Sequence, residues 1–159
     1  MDIVVLSDTH LKNTINELPS NVIDAISNGD MLIHAGDFTS LSFYNSLKEI
    51  TELKAVKGNM DSSSVKEILP GKRIIKINDF KIAIIHGNQM SNITTDKLSY
   101  LFPEADIIIF GHSHKPFNKR FGGQLFFNPG SSVQKRLQPD YSYGIISIEK
   151  EINSKIIRF

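Results

Sequence analysis

Residues 2–10 read DIVVLSDTH, an apolar run that ends directly in an aspartate and a histidine. The aliphatic residues predict a buried strand, and the segment from Leu18 to Asn28 is typical of a helix that Gly29 ends. MLIHAG predicts a second strand, followed by a helix that Ser40 caps and that extends to about Glu52. LKAVKG predicts a third strand. Strands that alternate with helices favour an α/β layer structure with parallel pairing.

The second half of the chain predicts more antiparallel pairing. KRIIKINDFKIAIIHG is typical of two strands joined at Asn78 and Asp79, and TTDKLSYLF of a short helix capped by Thr94 or Thr95. DIIIFG predicts another buried strand. FNKRFGGQLFFN and YGIISIEKEINSKIIRF each predict a hairpin, the first turning at its glycine pair. The predicted fold class is therefore mixed α/β (α+β), with two sheets packed together and helices outside them.

Composition sets limits on the class of protein. A chain of 159 residues predicts one domain, 1–159, with a core of its own. A net charge of +1 gives no overall field that would favour a membrane surface or a dedicated surface for long nucleic acid. The absence of cysteine excludes disulfides, thiolate zinc sites and a cysteine nucleophile, and is consistent with a cytoplasmic protein. We expect neither a membrane span nor a signal peptide.

Residues that can bind metals recur directly after the predicted strands. Five strands end in such residues, and four of the five histidines are among them. Each has an ordinary interpretation alone, as a turn residue, a helix cap or a hydrogen-bonded histidine. Their repeated placement favours one site, since open α/β sheets bind ligands beyond the carboxyl ends of their strands. The seven candidates are Asp8, His10, Asp37, Asn59, His86, His112 and His114.

The number and type of these candidates predict the metal. Seven ligands are too many for one tetrahedral ion, which takes about four, but suit two ions that share a bridging carboxylate. Oxygen and imidazole nitrogen without sulfur favour manganese, iron, cobalt, nickel or zinc. In IIIFGHSHKPF, residues 107–117, an extended chain would aim His112 and His114 at one point, and Gly111 would allow a close approach.

The ordered motifs DTH, GD, GN, a separate H and GHSH resemble those of the calcineurin-like metallophosphoesterases. The resemblance extends from Asp8 to about Ser131, including NPGS, and is greatest to the small single-domain phosphodiesterases of the family. It implies a four-layer αββα sandwich, with two central mixed β-sheets flanked by helices. It also implies a phosphodiesterase that uses two divalent metal ions, with Mn²⁺ favoured over Ni²⁺, Co²⁺, Fe²⁺ and Zn²⁺.

The resemblance also assigns roles to the seven candidates. Asp8, His10 and His114 would bind one metal, and Asn59, His86 and His112 the other, with Asp37 bridging the two. The two ions would activate a water to hydroxide near neutral pH and stabilise charge in the transition state. Asn59 and His112 would also help to hold the phosphoryl group.

One stretch departs from the wider family. Many members have a histidine after the asparagine, proposed to protonate the leaving group, whereas this chain has GNMD with Met60 in that place. Met60 cannot transfer a proton, which leaves the general acid unidentified. Met60 can instead fill an apolar gap.

Other activities stay open at this level. A phosphomonoesterase, a small nuclease or a non-catalytic scaffold like the phosphoesterase-like subunit of retromer would share the fold. The complete ligand set favours an enzyme, and the near-neutral charge weighs against a nuclease that grips long DNA. We expect a small phosphoester substrate; a homo-oligomer is compatible with the sequence.

Five further positions lie near the predicted site loops. His34 predicts a neutral, hydrogen-bonded core histidine, with support of the metal site as the alternative. Asn128 is either a turn residue or part of the rim of the site. Lys12 and Lys115, like Asn13, are expected to be solvated surface residues, with substrate contact as the alternative.

Overall fold

Two five-stranded β-sheets form the centre of the computed structural model, which describes all residues from Met1 to Phe159. In chain order the elements are β1 (Asp2–Leu6), α1 (Ser20–Asn28), β2 (Met31–His34), α2 (Leu41–Lys48), β3 (Leu53–Ala55), α3 (Ser63–Ile68), β4 (Lys72–Ile77), β5 (Phe80–Ile85), α4 (Thr95–Leu101), β6 (Ile107–Phe110), β7 (Phe117–Phe121), β8 (Gln124–Asn128), β9 (Ser142–Ile148) and β10 (Ile152–Arg158).

Both sheets are mixed, as predicted. The first sheet has the strand order β10-β9-β1-β2-β3, with parallel pairing from β1 to β3 and antiparallel pairing around β9. The second has the order β4-β5-β6-β8-β7, with parallel strands β5, β6 and β8 at its centre and antiparallel strands at both edges. The parallel strands of each sheet therefore present their carboxyl ends along one edge.

The alternation of side chains along each strand builds the layers. Ile3 and Val5 of β1 face the second sheet and pack in one core with Ile107 and Ile109 of β6. The intervening residues of β1 face outward and pack in a second core with residues of α1 and α2. Outward residues of β6 pack in the same way with Leu98 of α4. The predicted αββα sandwich is thereby confirmed.

The structure differs from the sequence prediction in its shorter elements. Helix α2 ends at Lys48 rather than near Glu52, because Leu47 is its last buried residue and Ile50 is exposed. Helix α3 and a 3₁₀ turn at Ile15–Glu17 were not predicted, since α3 buries only Val65 and has too short an apolar stripe. The predicted caps are confirmed at Ser40 and Thr94. No helix is long and apolar enough to cross a membrane.

Candidate metal centre

Loops from both sheets converge at the carboxyl edge of the parallel strands. The ligand atoms of Asp8, His10 and His114 lie within 4.8 Å of one another, and so do those of Asp8, Asp37 and His86. The His112 ring lies edge-on to the His86 ring, with 5.2 Å between centroids. The side chain of Asn59 is exposed and makes no hydrogen bond within the chain. The structure thus brings six of the seven candidates together, with Asn59 on the loop that follows β3.

The two oxygens of Asp8 have different surroundings. Oδ2 accepts hydrogen bonds from the Ser7 hydroxyl at 2.6 Å and from the backbone N–H of His112 at 2.9 Å. Oδ1 is buried without a hydrogen-bond partner and lies 3.3 Å from Nε2 of His114 and 3.9 Å from Nε2 of His86. Because the Ser7 hydroxyl and the His112 N–H hold Oδ2, Oδ1 of Asp8 is the oxygen that faces the histidines.

The two carboxylate oxygens of Asp37 also have different surroundings. Its Oδ1 accepts a hydrogen bond from the backbone N–H of Met60 at 2.8 Å. Its Oδ2 lies 3.2 Å from Nε2 of His86 and 3.8 Å from Nε2 of His10. Met60 is 56% exposed, so the expectation that it fills an apolar gap is wrong; its backbone N–H orients Asp37 instead.

Backbone carbonyls set the tautomers of two histidines. Nδ1 of His86 donates to the carbonyl of Ala35 at 2.8 Å, and Nδ1 of His114 donates to the carbonyl of Gln134. Because a carbonyl can only accept, Nδ1 carries the hydrogen and Nε2 is left to face the carboxylates. A histidine whose other nitrogen donates to a carbonyl is the usual arrangement of a metal ligand. Nε2 of His10 lies 3.4 Å from Nε2 of His114.

Five of the candidate ligands adopt a left-handed backbone conformation. Non-glycine residues with positive φ are uncommon, and such strained conformations concentrate at functional sites. The expectation that His112 and His114 follow one another in extended chain is therefore wrong: the two imidazoles diverge, one toward His86 and the other toward His10. The φ values are 55° for Asp8, 53° for His10, 61° for Asp37, 67° for His112 and 56° for His114.

Two glycines allow the ligand loops to touch. A Cβ on Gly58 would lie 2.1 Å from Oδ1 of Asp37, and a Cβ on Gly111 would lie 1.9 Å from the hydroxyl of Ser7. Any side chain at these positions would displace an anchored carboxylate or its hydrogen-bond donor. The glycines of the GN and GHSH motifs are thus needed for close approach.

Asp61 is a supporting residue that the sequence analysis missed. It is only 4% exposed and accepts hydrogen bonds from the backbone N–H groups of Gly58, Thr39 and Asp37, at 2.7, 2.8 and 3.2 Å. Burial raises the pKa of its carboxyl, although these hydrogen bonds oppose the change. The signal available was an aspartate next to a Gly-Asn turn, a place where aspartate commonly accepts from nearby backbone.

His34 lies beneath the centre and joins two of its loops. The backbone N–H of Gly36 donates to Nδ1 at 3.2 Å, which places the hydrogen on Nε2, and Nε2 lies 3.0 Å from the Thr9 hydroxyl. The ring stacks on Phe38 with 3.7 Å between centroids. Full burial lowers the pKa of His34 well below its ordinary value, so the ring is neutral. Both interpretations of His34 hold, because the neutral core histidine also supports the loops that carry the ligands.

Asn128 is fully buried below the GHSH loop rather than at the rim of the site. Its amide nitrogen donates to the carbonyl of Gly111 at 3.0 Å and to the hydroxyl of Ser113 at 3.1 Å. Its amide oxygen accepts from the backbone N–H of Gly130 at 2.9 Å. Asn128 therefore holds its own turn and the GHSH loop together. Lys12, Asn13 and Lys115 are exposed, as expected.

The buried charges of the centre perturb one another. Burial raises the pKa of Asp8 to about 6 and lowers the pKa of His114 to about 4. At His86 burial opposes the charged form, but the carboxylates of Asp37 and Asp8 outweigh it and raise the pKa. At Asp37 burial is likewise outweighed, chiefly by His86, and the pKa is lowered.

The donor set fits divalent cations. Oδ1 of Asp8 and Nε2 of His86 are both buried without a hydrogen-bond partner. A buried polar atom without a partner costs about 1–3 kcal/mol, and a cation between carboxylate and imidazole groups would satisfy both atoms.

Comparison with known proteins agrees with this geometry. Residues 1–151 match the sequence model of the calcineurin-like phosphoesterase superfamily domain. The chain belongs to the calcineurin-like phosphoesterase superfamily. It is 41% identical over 160 aligned positions to a probable metallophosphoesterase of Methanocaldococcus jannaschii, an alignment that covers 99% of this chain and 81% of that protein.

Two further similarities within the superfamily point to different kinds of protein. The chain is 34% identical to the vacuolar protein sorting-associated protein 29 of Schizosaccharomyces pombe, over 84% of this chain and 73% of that protein. The solved structure of an archaeal phosphodiesterase superposes with a TM-score of 0.74 and 25% identity, covering 99% of this chain and all of that one. The small single-domain group recognised in the sequence is thus also found among the structural neighbours.

Proposed function

We propose that this phosphoesterase is a phosphodiesterase that uses two divalent metal ions. The observation that carries the proposal is the pair of buried, partnerless ligand atoms, Oδ1 of Asp8 and Nε2 of His86, that lie 3.9 Å apart. Each has a further candidate ligand at 3.2–3.3 Å, His114 for Asp8 and Asp37 for His86. The two clusters share Asp8, which supports two adjacent cations rather than two separate sites.

The distances are compatible with Asp37 as the bridging ligand. Its free oxygen lies between Nε2 of His10, from one proposed set, and Nε2 of His86, from the other. In this proposal one ion takes Asp8, His10 and His114, and the second takes Asn59, His86 and His112. Oδ1 of Asp8 lies near both sets, so a second carboxylate also faces the pair.

Two such cations, when bound, would lower the pKa of a water so that hydroxide is available near neutral pH, and would stabilise the charge that develops on the phosphoryl group. The residues of the chain hold and orient the reactants. Burial lowers the pKa of His112, so its imidazole is neutral at pH 7 and can bind a cation. The exposed amide of Asn59 can donate to a phosphoryl oxygen. The side chain of Met60 cannot protonate a leaving group, which favours esters whose alcohol leaves readily.

Hydrolysis of paired nitrophenyl esters tests the proposal. We expect bis(p-nitrophenyl) phosphate to be hydrolysed faster than p-nitrophenyl phosphate, with Mn²⁺ most active among Mn²⁺, Ni²⁺, Co²⁺, Fe²⁺ and Zn²⁺. Chelator should abolish both reactions. Faster hydrolysis of the monoester would overturn the phosphodiesterase assignment in favour of a phosphomonoesterase.

The bridging role of Asp37 has its own test. Asp37→Asn keeps the shape but removes the charge between the two histidines, so we expect a loss of at least about a hundredfold in kcat/KM and weaker binding of both metals. Metal content by atomic emission and hydrolysis rates measure the two effects. Asp24→Asn, on the exposed side of α1, is the matched control and should leave both unchanged. Two metals per chain and an ordinary rate in Asp37→Asn would remove the bridging role.

A non-catalytic scaffold is the second candidate, because one relative is a vacuolar protein sorting-associated protein. Stoichiometric metal binding without turnover of either ester would favour it over an enzyme. Three further predictions about the protein remain. It acts on a small phosphoester, it is located in the cytoplasm, and residues 1–159 form a single domain. Size-exclusion chromatography with light scattering would measure the oligomeric state of the protein.

A further inference from the structure

A cavity of about 620 Å³ opens directly beside the candidate metal centre. Its walls come from the loop and first turn of α4, from the end of β6 and from the β7 strand. His112 belongs both to this lining and to the ligand cluster, so the cavity and the metal centre are continuous. The lining includes Met90, Ile93, Leu98, Phe110, Phe117 and Phe121.

The floor of this cavity is aromatic. Phe117 lies between Phe110 and Phe121, with ring centroids 6.1 and 6.5 Å away, and stacks against the second of these. Phe121 is 49% exposed, so part of its ring is accessible to a ligand in the cavity. Six of the thirteen lining residues are hydrophobic and the others are polar or ionisable. Apolar surface combined with placed polar groups is the usual form of a small-molecule site.

The charge of the lining limits the ligand. It contains no acidic residue, and Lys115 and His112 are its only ionisable groups. Both lie in the GHSHK stretch, and His112 also belongs to the ligand cluster. An uncharged group therefore suits the floor, and an anionic group suits the end at His112.

The cavity wall is attached to the ligand loops. Ile93 packs over Gly87 so closely that a Cβ there would lie 2.6 Å from the Ile93 side chain. Gly87 follows the candidate ligand His86, whose carbonyl accepts from the backbone N–H of Gly111 at 3.1 Å. These contacts connect the wall of the cavity to the loops that carry His86 and His112.

We propose that this cavity binds an uncharged aromatic group carried on an ester oxygen of the substrate, while the phosphoryl group lies against His112. The inference rests on the proposed function and specifies its substrate class: diesters with at least one aromatic or heteroaromatic arm. Phe117 and Phe121 provide the surface against which that arm packs. A small alkyl arm would leave the floor uncovered.

Phosphonates test this inference independently of turnover, because their carbon–phosphorus bond is not hydrolysed by a phosphodiesterase. We expect phenylphosphonate to bind the Mn²⁺-loaded protein about tenfold more tightly than methylphosphonate in isothermal titration calorimetry, since only the phenyl ring covers the apolar floor. Phe121→Ala should reduce the affinity for phenylphosphonate about fivefold or more and reduce this preference accordingly. Phe121→Leu, which keeps an apolar side chain, should lose less.

Tyr100→Ala is the matched control, because Tyr100 is an aromatic residue of α4 that is 90% exposed and lies outside the cavity lining. It should bind both phosphonates as the wild type does. Equal affinities of the wild type for the two phosphonates, binding of neither, or equal effects of Phe121→Ala and Tyr100→Ala would overturn the inference.

The two proposals fail in different ways. Selective binding of phenylphosphonate without hydrolysis of any diester would overturn the phosphodiesterase and keep the aromatic site. Hydrolysis of diesters without aromatic preference would keep the enzyme and overturn the aromatic site.

Discussion

His34 positions two ligand loops through the two nitrogens of one buried ring. Replacing it by Leu removes the acceptor for Gly36 and the partner of Thr9. We expect His34→Leu to lower the free energy of unfolding of the metal-free protein by about 1–3 kcal/mol, because buried polar groups lose their partners. Urea unfolding measures the change, and Mn²⁺ affinity should fall with it. His34→Gln retains a donor and an acceptor and should lose less; equal losses would show that volume rather than hydrogen bonding matters.

Protonation of single residues makes metal binding depend on pH. The pKa of Asp8 in the metal-free fold is about 6 and that of His86 is raised, so acid adds protons that a metal must displace. The pKa of His114, about 4, keeps it deprotonated in this range. Affinity should therefore rise with pH through 6, and Mn²⁺ should bind at least about tenfold more weakly at pH 5 than at pH 7.5. Calorimetric titrations at the two values check this, and a constant affinity would contradict it.

At the scale of the elements, the end of β6 packs against the end of β1 through Gly111. Gly111→Ala would place a Cβ 1.9 Å from the Ser7 hydroxyl and 2.9 Å from Oδ2 of Asp8. Because the two strand ends must separate, we expect a loss of about 1–3 kcal/mol in the free energy of unfolding and weaker metal binding.

Gly71→Ala is the matched control for this close approach. The nearest atom to a Cβ at Gly71 is 3.8 Å away, so the same substitution meets no obstacle there. Denaturant unfolding of the two variants should differ by at least about 1 kcal/mol. Equal stability of the two variants would mean that the strand ends can part at no cost.

At the scale of the whole molecule, the candidate ligands come from both sheets. Asp8, His10 and Asp37 follow strands of the first sheet, whereas His86 and the GHSH histidines follow strands of the second. A metal bound between them adds to the apolar core that holds the sheets together. Mn²⁺ at about 100 times its dissociation constant should add about 2.7 kcal/mol of stability and raise the Tm by about 5–10 °C.

Thermal unfolding with metal and with chelator measures this stabilisation. Asp37→Asn removes a carboxylate at the junction of the two sheets and should show a smaller rise on addition of Mn²⁺. The exposed-site variant Asp24→Asn should respond as the wild type does. The same Tm with metal and with chelator would mean that the ions do not join the sheets.

Local patterns in the sequence were enough to predict the strands and the candidate ligands. The strands could be predicted because their apolar runs are continuous and end at glycine or turn residues, and the candidate ligands because they follow those runs. Helix α3 was missed because six residues with one buried side chain leave almost no periodic signal. The extended backbone predicted for GHSH was wrong, because a left-handed φ at His112 and His114 is not a local preference of histidine. Only the surrounding contacts maintain it.

The sequence by itself determined the succession of the strands and of helices α1, α2 and α4 along the chain, the alternation that builds the core, and the residue types available for metal binding. Tertiary structure alone decided which oxygen of each carboxylate faces the histidines, and that Asp61, His34 and Asn128 support the loops. The physical reason is that these choices depend on hydrogen bonds between residues far apart in the chain. The bond from the His112 N–H to Asp8 spans 104 positions and joins two sheets, and no local pattern encodes it.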